Sequence, residues 1–95
     1  MRPDSPAPGA PGAYVYLLWC GPERALYCGW TTDVARRLEA HRRGQGAKYT
    51  RSRADVELAA VIPMSDASAA RREEARIKRL PRAAKLRLVA RHAAS

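Results

Sequence analysis

Residues 26–41 read LYCGWTTDVARRLEAH, and this stretch decides the fold because a strand runs through Gly29 and Thr31 directly into a helix. Gly29 leaves the backbone room that a side chain would deny, which suits close approach by another strand or by a ligand. Thr32 or Asp33 can cap the helix, since a side-chain oxygen at either position accepts from the free amides of the first turn. Val34 and Leu38 define the buried stripe. At roughly 100° per residue, His41 then falls about 20° from Val34 and Arg37 about 60°, whereas Arg36 and Arg43 lie about 160–180° away, toward solvent. Arg37 and His41 are thus one turn apart at the edge of the buried face. Two readings fit them: an arginine snorkelling over the core beside a half-buried histidine, or a pair that faces a cleft left by the preceding strand.

Working back from this stretch, residues 13–20, AYVYLLWC, are rich in aromatic and β-branched types, and GPER follows as a turn. The second strand returns over residues 25–31. With residues 21–24 as the loop, positions whose numbers sum to 45 face one another. Tyr16 then opposes Gly29, Tyr27 opposes Leu18, and Cys28 opposes Leu17 rather than Cys20. The two tyrosines share one face as diagonal neighbours, either as an ordinary aromatic pair or as two hydroxyls beside a glycine. The two cysteines are too few for a zinc site and do not face each other, so reduced thiols are expected.

Downstream, the first helix runs from about Asp33 to Arg43 and stops at Gly44 and Gly46. GAKYTRSRAD is a polar, basic loop whose Lys48, Tyr49, Thr50 and Arg51 mix cations, hydroxyls and one aromatic ring, a combination suited to phosphate and base contacts. Residues 56–62, VELAAVI, read as the third strand, closed by Pro63. Ser65 is placed to cap a helix over 66–80, which Pro81 interrupts. A last helix over 82–91 directs Leu86 and Val89 inward and Lys85, Arg87 and Arg91 outward. In the 66–80 helix the apolar stripe is Ala67, Ala70, Ile77 and Leu80, with Glu73 and Glu74 on its two sides. At least one of these carboxylates looks toward the sheet, and periodicity does not say which.

The whole is an α+β chain: a three-stranded antiparallel sheet flanked by helices, in β-β-α-β-α-α order. At 95 residues it holds one core, and with no Phe and many alanines that core is lean. Residues 1–12 carry four of the seven prolines and two glycines and read as a disordered tail, 13–90 as the domain, and 91–95 as a C-terminal tail. No apolar run is long enough to span a membrane, and no secretory leader is evident, so a cytoplasmic address is expected, with no obligate protein partner. The net charge of +9 is unevenly spread: residues 31–53 and 71–95 are strongly basic and flank an acidic segment at 54–70. That clustering, with a sequence pI near 10.6, suits a polyanion, and nucleic acid is the commonest one.

Taken together, these residues resemble the GIY-YIG nuclease family, in particular its small single-domain members. Tyr14-Val15-Tyr16 stands where the first family tripeptide would be, and Tyr27-Cys28-Gly29 where the second would be. The similarity continues through Thr31-Thr32-Asp33, Arg36-Arg37-Leu38, His41, Gly46-Ala47-Lys48-Tyr49-Thr50-Arg51 and Glu74-Ala75-Arg76-Ile77-Lys78-Arg79-Leu80. The resemblance implies a divalent-metal-dependent phosphodiesterase acting on DNA, or RNA, with Mg2+ the expected ion and Mn2+ a substitute. It implies Tyr16, Tyr27, Arg37, His41 and Glu74 as catalytic residues, Glu74 as the metal ligand, Arg37 as the contact to the scissile phosphate, and Lys48, Thr50, Arg51 and Lys78 as nucleic-acid contacts.

Such a set makes chemical sense, because a metal and an arginine act where charge grows on the phosphate oxygens during attack. A tyrosine or a neutral histidine can take the proton of the attacking water, and Tyr16 is the first choice with His41 second. The chain departs from the family pattern at Tyr14, in place of the opening glycine, and at Val15 and Cys28, in place of isoleucines. It also has no asparagine anywhere, although many larger members carry one after the glutamate helix. A nucleic-acid-binding module of the same fold with negligible catalysis is the competing expectation.

Overall fold

The computed structural model describes residues 11–44 and 56–93. The elements follow the expected order: β1 (Ala13–Cys20), β2 (Ala25–Thr31), α1 (Val34–Arg42), β3 (Val56–Met64), α2 (Ala67–Lys78) and α3 (Arg82–His92). The strands form one antiparallel sheet in the order β2-β1-β3. β1 is central because it is the most apolar strand, and six of its eight residues are buried. The hairpin register follows the loop length: Tyr16 pairs with Gly29, Leu17 with Cys28 and Leu18 with Tyr27. Between β1 and β3 the register shifts at Leu17/Leu18, leaving Ala59 as the extra residue of a bulge.

Alternation along β1 gives the sheet two different faces. Val15 and Leu17 join Cys28, Ala60 and Ile62 beneath Ala70 and Ile77 of α2, with Leu88 and Val89 of α3 packed alongside. On the opposite face Tyr16, Leu18, Cys20 and Val56 meet Tyr27, Leu58 and Leu38 of α1. The two cysteines therefore lie on opposite faces, both as free thiols.

Several local expectations are corrected. Asp66, not Ser65, caps α2: its backbone is still extended, and its carboxylate accepts from the Ala69 amide at 2.8 Å. Pro63 does not close the third strand, which continues to Met64, because an edge strand tolerates a residue without an N–H. Gly12, at the end of the stretch expected to be a tail, donates its amide to the Met64 carbonyl at 3.0 Å. Leu86 is exposed, and Leu88 takes the inward position beside Val89. Lys85 is half-buried rather than outward. For α1, the choice between caps falls on Asp33, which accepts from the Arg36 amide at 3.1 Å. Gly44, at φ 75°, adopts the left-handed conformation that ends the helix where the sequence indicates.

Candidate active site

Gly29 and Tyr16 face each other across β1 and β2. A Cβ at position 29 would stand 2.5 Å from the Tyr16 hydroxyl oxygen and 2.6 Å from its Cζ. The room above Gly29 is thus filled by the Tyr16 ring rather than left open for a ligand. Tyr16 is only 2% exposed, and its ring lies 6.5 Å from that of Tyr27. The imidazole of His41, fully buried, packs edge-on against both, at 5.8 Å and 5.3 Å between ring centres.

A hydrogen-bonded line runs through this cluster. Arg37 Nε donates to the Tyr16 hydroxyl at 3.3 Å, and the hydroxyl lies 2.9 Å from His41 Nε2. A guanidinium can only donate, so the Tyr16 oxygen accepts from Arg37, and a neutral His41 protonated on Nδ1 can accept the Tyr16 hydroxyl hydrogen at Nε2. The electrostatics agree with that assignment. Burial, and then the Arg37 charge, hold the His41 pKa below its ordinary value. Burial raises the pKa of both Tyr16 and Tyr27; the Arg37 hydrogen bond opposes this at Tyr16, and the Lys78 charge opposes it at Tyr27.

Glu74, on α2, lies near enough for its charge to be felt by both tyrosines. Its negative charge adds to the upward shifts of Tyr16 and Tyr27 and to that of the buried Cys28 thiol, which desolvation carries to about 12. Glu73 is occupied otherwise: its two carboxylate oxygens accept from Arg76 Nε at 2.8 Å and Nη2 at 2.7 Å, and that pairing lowers its pKa. Of the two glutamates, Glu74 is the one whose charge acts on the tyrosines. Lys78, expected as a nucleic-acid contact, sits one turn along α2 with Nζ 3.5 Å from Glu74 Oε1, so it belongs to the same cluster. Lys48, Thr50 and Arg51 lie outside the described residues.

Among the described residues no three His, Cys, Asp or Glu side chains converge as a cage for a metal. The Glu74 carboxylate is a hard oxygen donor of the kind that a well-hydrated divalent cation accepts.

One feature was not legible from periodicity. A cleft of about 290 Å3 lies beside the cluster, lined by Thr31, Thr32, Asp33, Arg36, Arg37 and Ala40. Arg36 is exposed, as its angle on the helix requires, yet it forms a wall of this cleft. The spacing of residues 33, 36, 37 and 40 along one side of α1 is the signal that points to it.

Comparison with known proteins gives concordant results. Residues 12–87 match the family described as the GIY-YIG catalytic domain. A UPF0213 protein of Natronomonas pharaonis is 52% identical over 77 residues, covering 81% of this chain and 89% of the relative. Another, of Oceanobacillus iheyensis, is 46% identical over 76 residues, covering 80% and 87%. The solution NMR structure of a UPF0213 protein from Bacillus halodurans is similar at a TM-score of 0.52 and 42% identity, covering 82% of each chain.

Proposed function

Because this chain belongs to the GIY-YIG family, we propose that it is a divalent-metal-dependent endonuclease that hydrolyses phosphodiester bonds in DNA or a related nucleic acid. The observation that carries this reading is the hydrogen-bonded line from Arg37 through the buried Tyr16 hydroxyl to His41, with Tyr27 packed beside it. Arg37 bonds to Tyr16, and Glu74 acts on Tyr16 and Tyr27 from the other helix. Nuclease domains of this family imply a nucleic-acid substrate and generally use divalent metals.

The residues of this chain divide the work as follows. Arg37 binds the scissile phosphate and stabilises the charge that develops on its oxygens. A water attacks phosphorus and passes its proton to the Tyr16 oxygen as the Tyr16 hydroxyl proton moves to His41 Nε2. The P–O bond to the leaving oxygen breaks, and that oxygen takes a proton from solvent. A relay of this kind avoids a standing tyrosinate, which burial disfavours, and it uses His41 in the neutral state its surroundings favour. Tyr27 borders the phosphate site. Glu74 would hold the cation, which supplies Lewis-acid stabilisation of the phosphate oxygens and would be Mg2+, with Mn2+ as a substitute.

Lys48, Thr50, Arg51 and Lys78 supply phosphate contacts, and the enzyme acts in DNA repair or processing in the cytoplasm. Among the described residues no helix is long and apolar enough to cross a membrane. The second reading, a binding module with negligible catalysis, draws on the lone carboxylate and on the absence of asparagine. Incubation with supercoiled plasmid separates the two. Nicking in magnesium that stops in EDTA supports the nuclease, and binding without nicking in any divalent metal supports the module.

A further inference from the structure

The cleft beside α1 is not an extension of the helix end. Asp33 already occupies that end, with its carboxylate on the Arg36 amide and its carbonyl accepting from the Arg37 amide. Thr31 is also committed, since its hydroxyl accepts from the Asp33 amide at 3.1 Å and donates to the Asp33 carbonyl at 3.3 Å. Arg36 and Thr32 are different. Both are exposed on the cleft, and among the described residues neither side chain has a hydrogen bond or ion pair.

Arg37 joins the cleft to the cluster, for it lines the former and bonds to Tyr16 in the latter. Adjacent residues diverge by about 100° around a helix. Arg37 is turned onto Tyr16 while Arg36 stands in the cleft wall, an arrangement that suits two successive phosphates. Asp33 keeps one negative charge at the cap end, which steers an anion toward Arg36 and Ala40. A volume of about 290 Å3 is at the small end of ligand sites, roughly 300–1,000 Å3, which is room for about one nucleotide.

We propose that this cleft is a subsite for the nucleotide next to the scissile phosphate, where Arg36 and Thr32 hold the neighbouring phosphodiester of the same strand. The proposal rests on the phosphodiesterase reading above. Arg36 is here a binding residue and Arg37 the one at the reacting phosphate.

The test is fluorescence anisotropy with labelled hexathymidylate in EDTA, across a range of salt concentrations, so that no turnover is involved. Arg36→Ala is expected to weaken binding about fivefold and to flatten the log–log salt dependence by about 0.7, the value for one phosphate contact on a single strand. Arg43→Ala is the control, because Arg43 lies on the same helix outside the cleft and is paired with Glu39 at 3.1 Å. It should stay within twofold of the parent, with circular dichroism showing both variants folded. An unchanged salt slope in Arg36→Ala, or equal losses in the two variants, overturns the subsite in favour of a diffuse basic surface. Parent protein that binds neither hexathymidylate nor plasmid overturns the phosphodiesterase reading itself.

Discussion

Replacing Gly29 by alanine is the smallest change that reaches the Tyr16, His41 and Arg37 cluster without replacing any of its side chains. Gly29 does not have a positive φ, so alanine meets no backbone strain and its effect is steric. The new methyl would stand 2.5 Å from the Tyr16 oxygen, whereas ordinary contact needs about 3.4 Å or more. The ring must withdraw by about 1 Å. It cannot do so freely, because it is buried and its oxygen is engaged by both His41 and Arg37. A shift of that size takes the Tyr16 oxygen out of the geometry in which it lies 2.9 Å from His41 Nε2. Overpacking of this kind costs about 1–3 kcal/mol, which in a domain of this size lowers Tm by roughly 5–20 °C. Displacing a reacting group by about 1 Å costs about 100-fold in rate. Thermal denaturation and single-turnover plasmid nicking measure the two effects. Truncating the ring should remove the clash, so Gly29→Ala made in a Tyr16→Leu background should cost less than about 0.5 kcal/mol. A Gly29→Ala protein with the parent Tm and nicking rate would refute the packing of Tyr16 against Gly29.

Three further outcomes are expected. His41 binds a proton less readily in the folded protein than in the unfolded chain, because burial and Arg37 lower its pKa; its contribution to stability is therefore complete above about pH 6.5 and is lost as pH falls through the folded value. Urea titrations from pH 8 to pH 5 should show this loss in the parent and a smaller one in His41→Gln. Asp66→Ala should cost about 1 kcal/mol by removing the α2 cap, and Ser65→Ala less than about 0.5 kcal/mol, both read by denaturant midpoints. Replacing Lys48 and Arg51 together should weaken DNA binding and reduce its salt dependence while leaving the far-ultraviolet circular dichroism unchanged.

The hairpin register was legible because one loop length fixes every pairing along both strands, so a correct reading of GPER placed Tyr16 against Gly29 and both tyrosines on one face. The inward edge of α1 was equally readable, since its residues obey a fixed angle about the axis. That angle states which way Arg36 leaves the helix but not what stands beside it. The cleft wall from Thr31 and Thr32 is set by the turn joining the strand to the helix, which periodicity does not describe. The choice of Asp66 over Ser65 likewise depends on where the backbone stops being extended. At Leu86 the helical stripe was wide enough to permit two inward sets, and contact with the sheet selects Leu88 and Val89. For Glu73 and Glu74, equal angles from the apolar stripe left both available; the bidentate bond to Arg76 at Glu73 and the looser contact to Lys78 at Glu74 are side-chain pairings that periodicity does not describe.

The central claim is that Arg37 and Glu74 act on one phosphate from opposite helices, and it is tested most directly by measuring cleavage and binding in the same variants. Plasmid nicking in magnesium and anisotropy with duplex DNA in EDTA should be compared for Arg37→Ala, Glu74→Ala and Arg36→Ala. The first two are expected to lose nicking by at least about 100-fold with DNA affinity within a few-fold of the parent, and Arg36→Ala is expected to keep most of its maximal rate and lose affinity instead. Equal loss of nicking in the two arginine variants, or full nicking by Glu74→Ala, would contradict the claim.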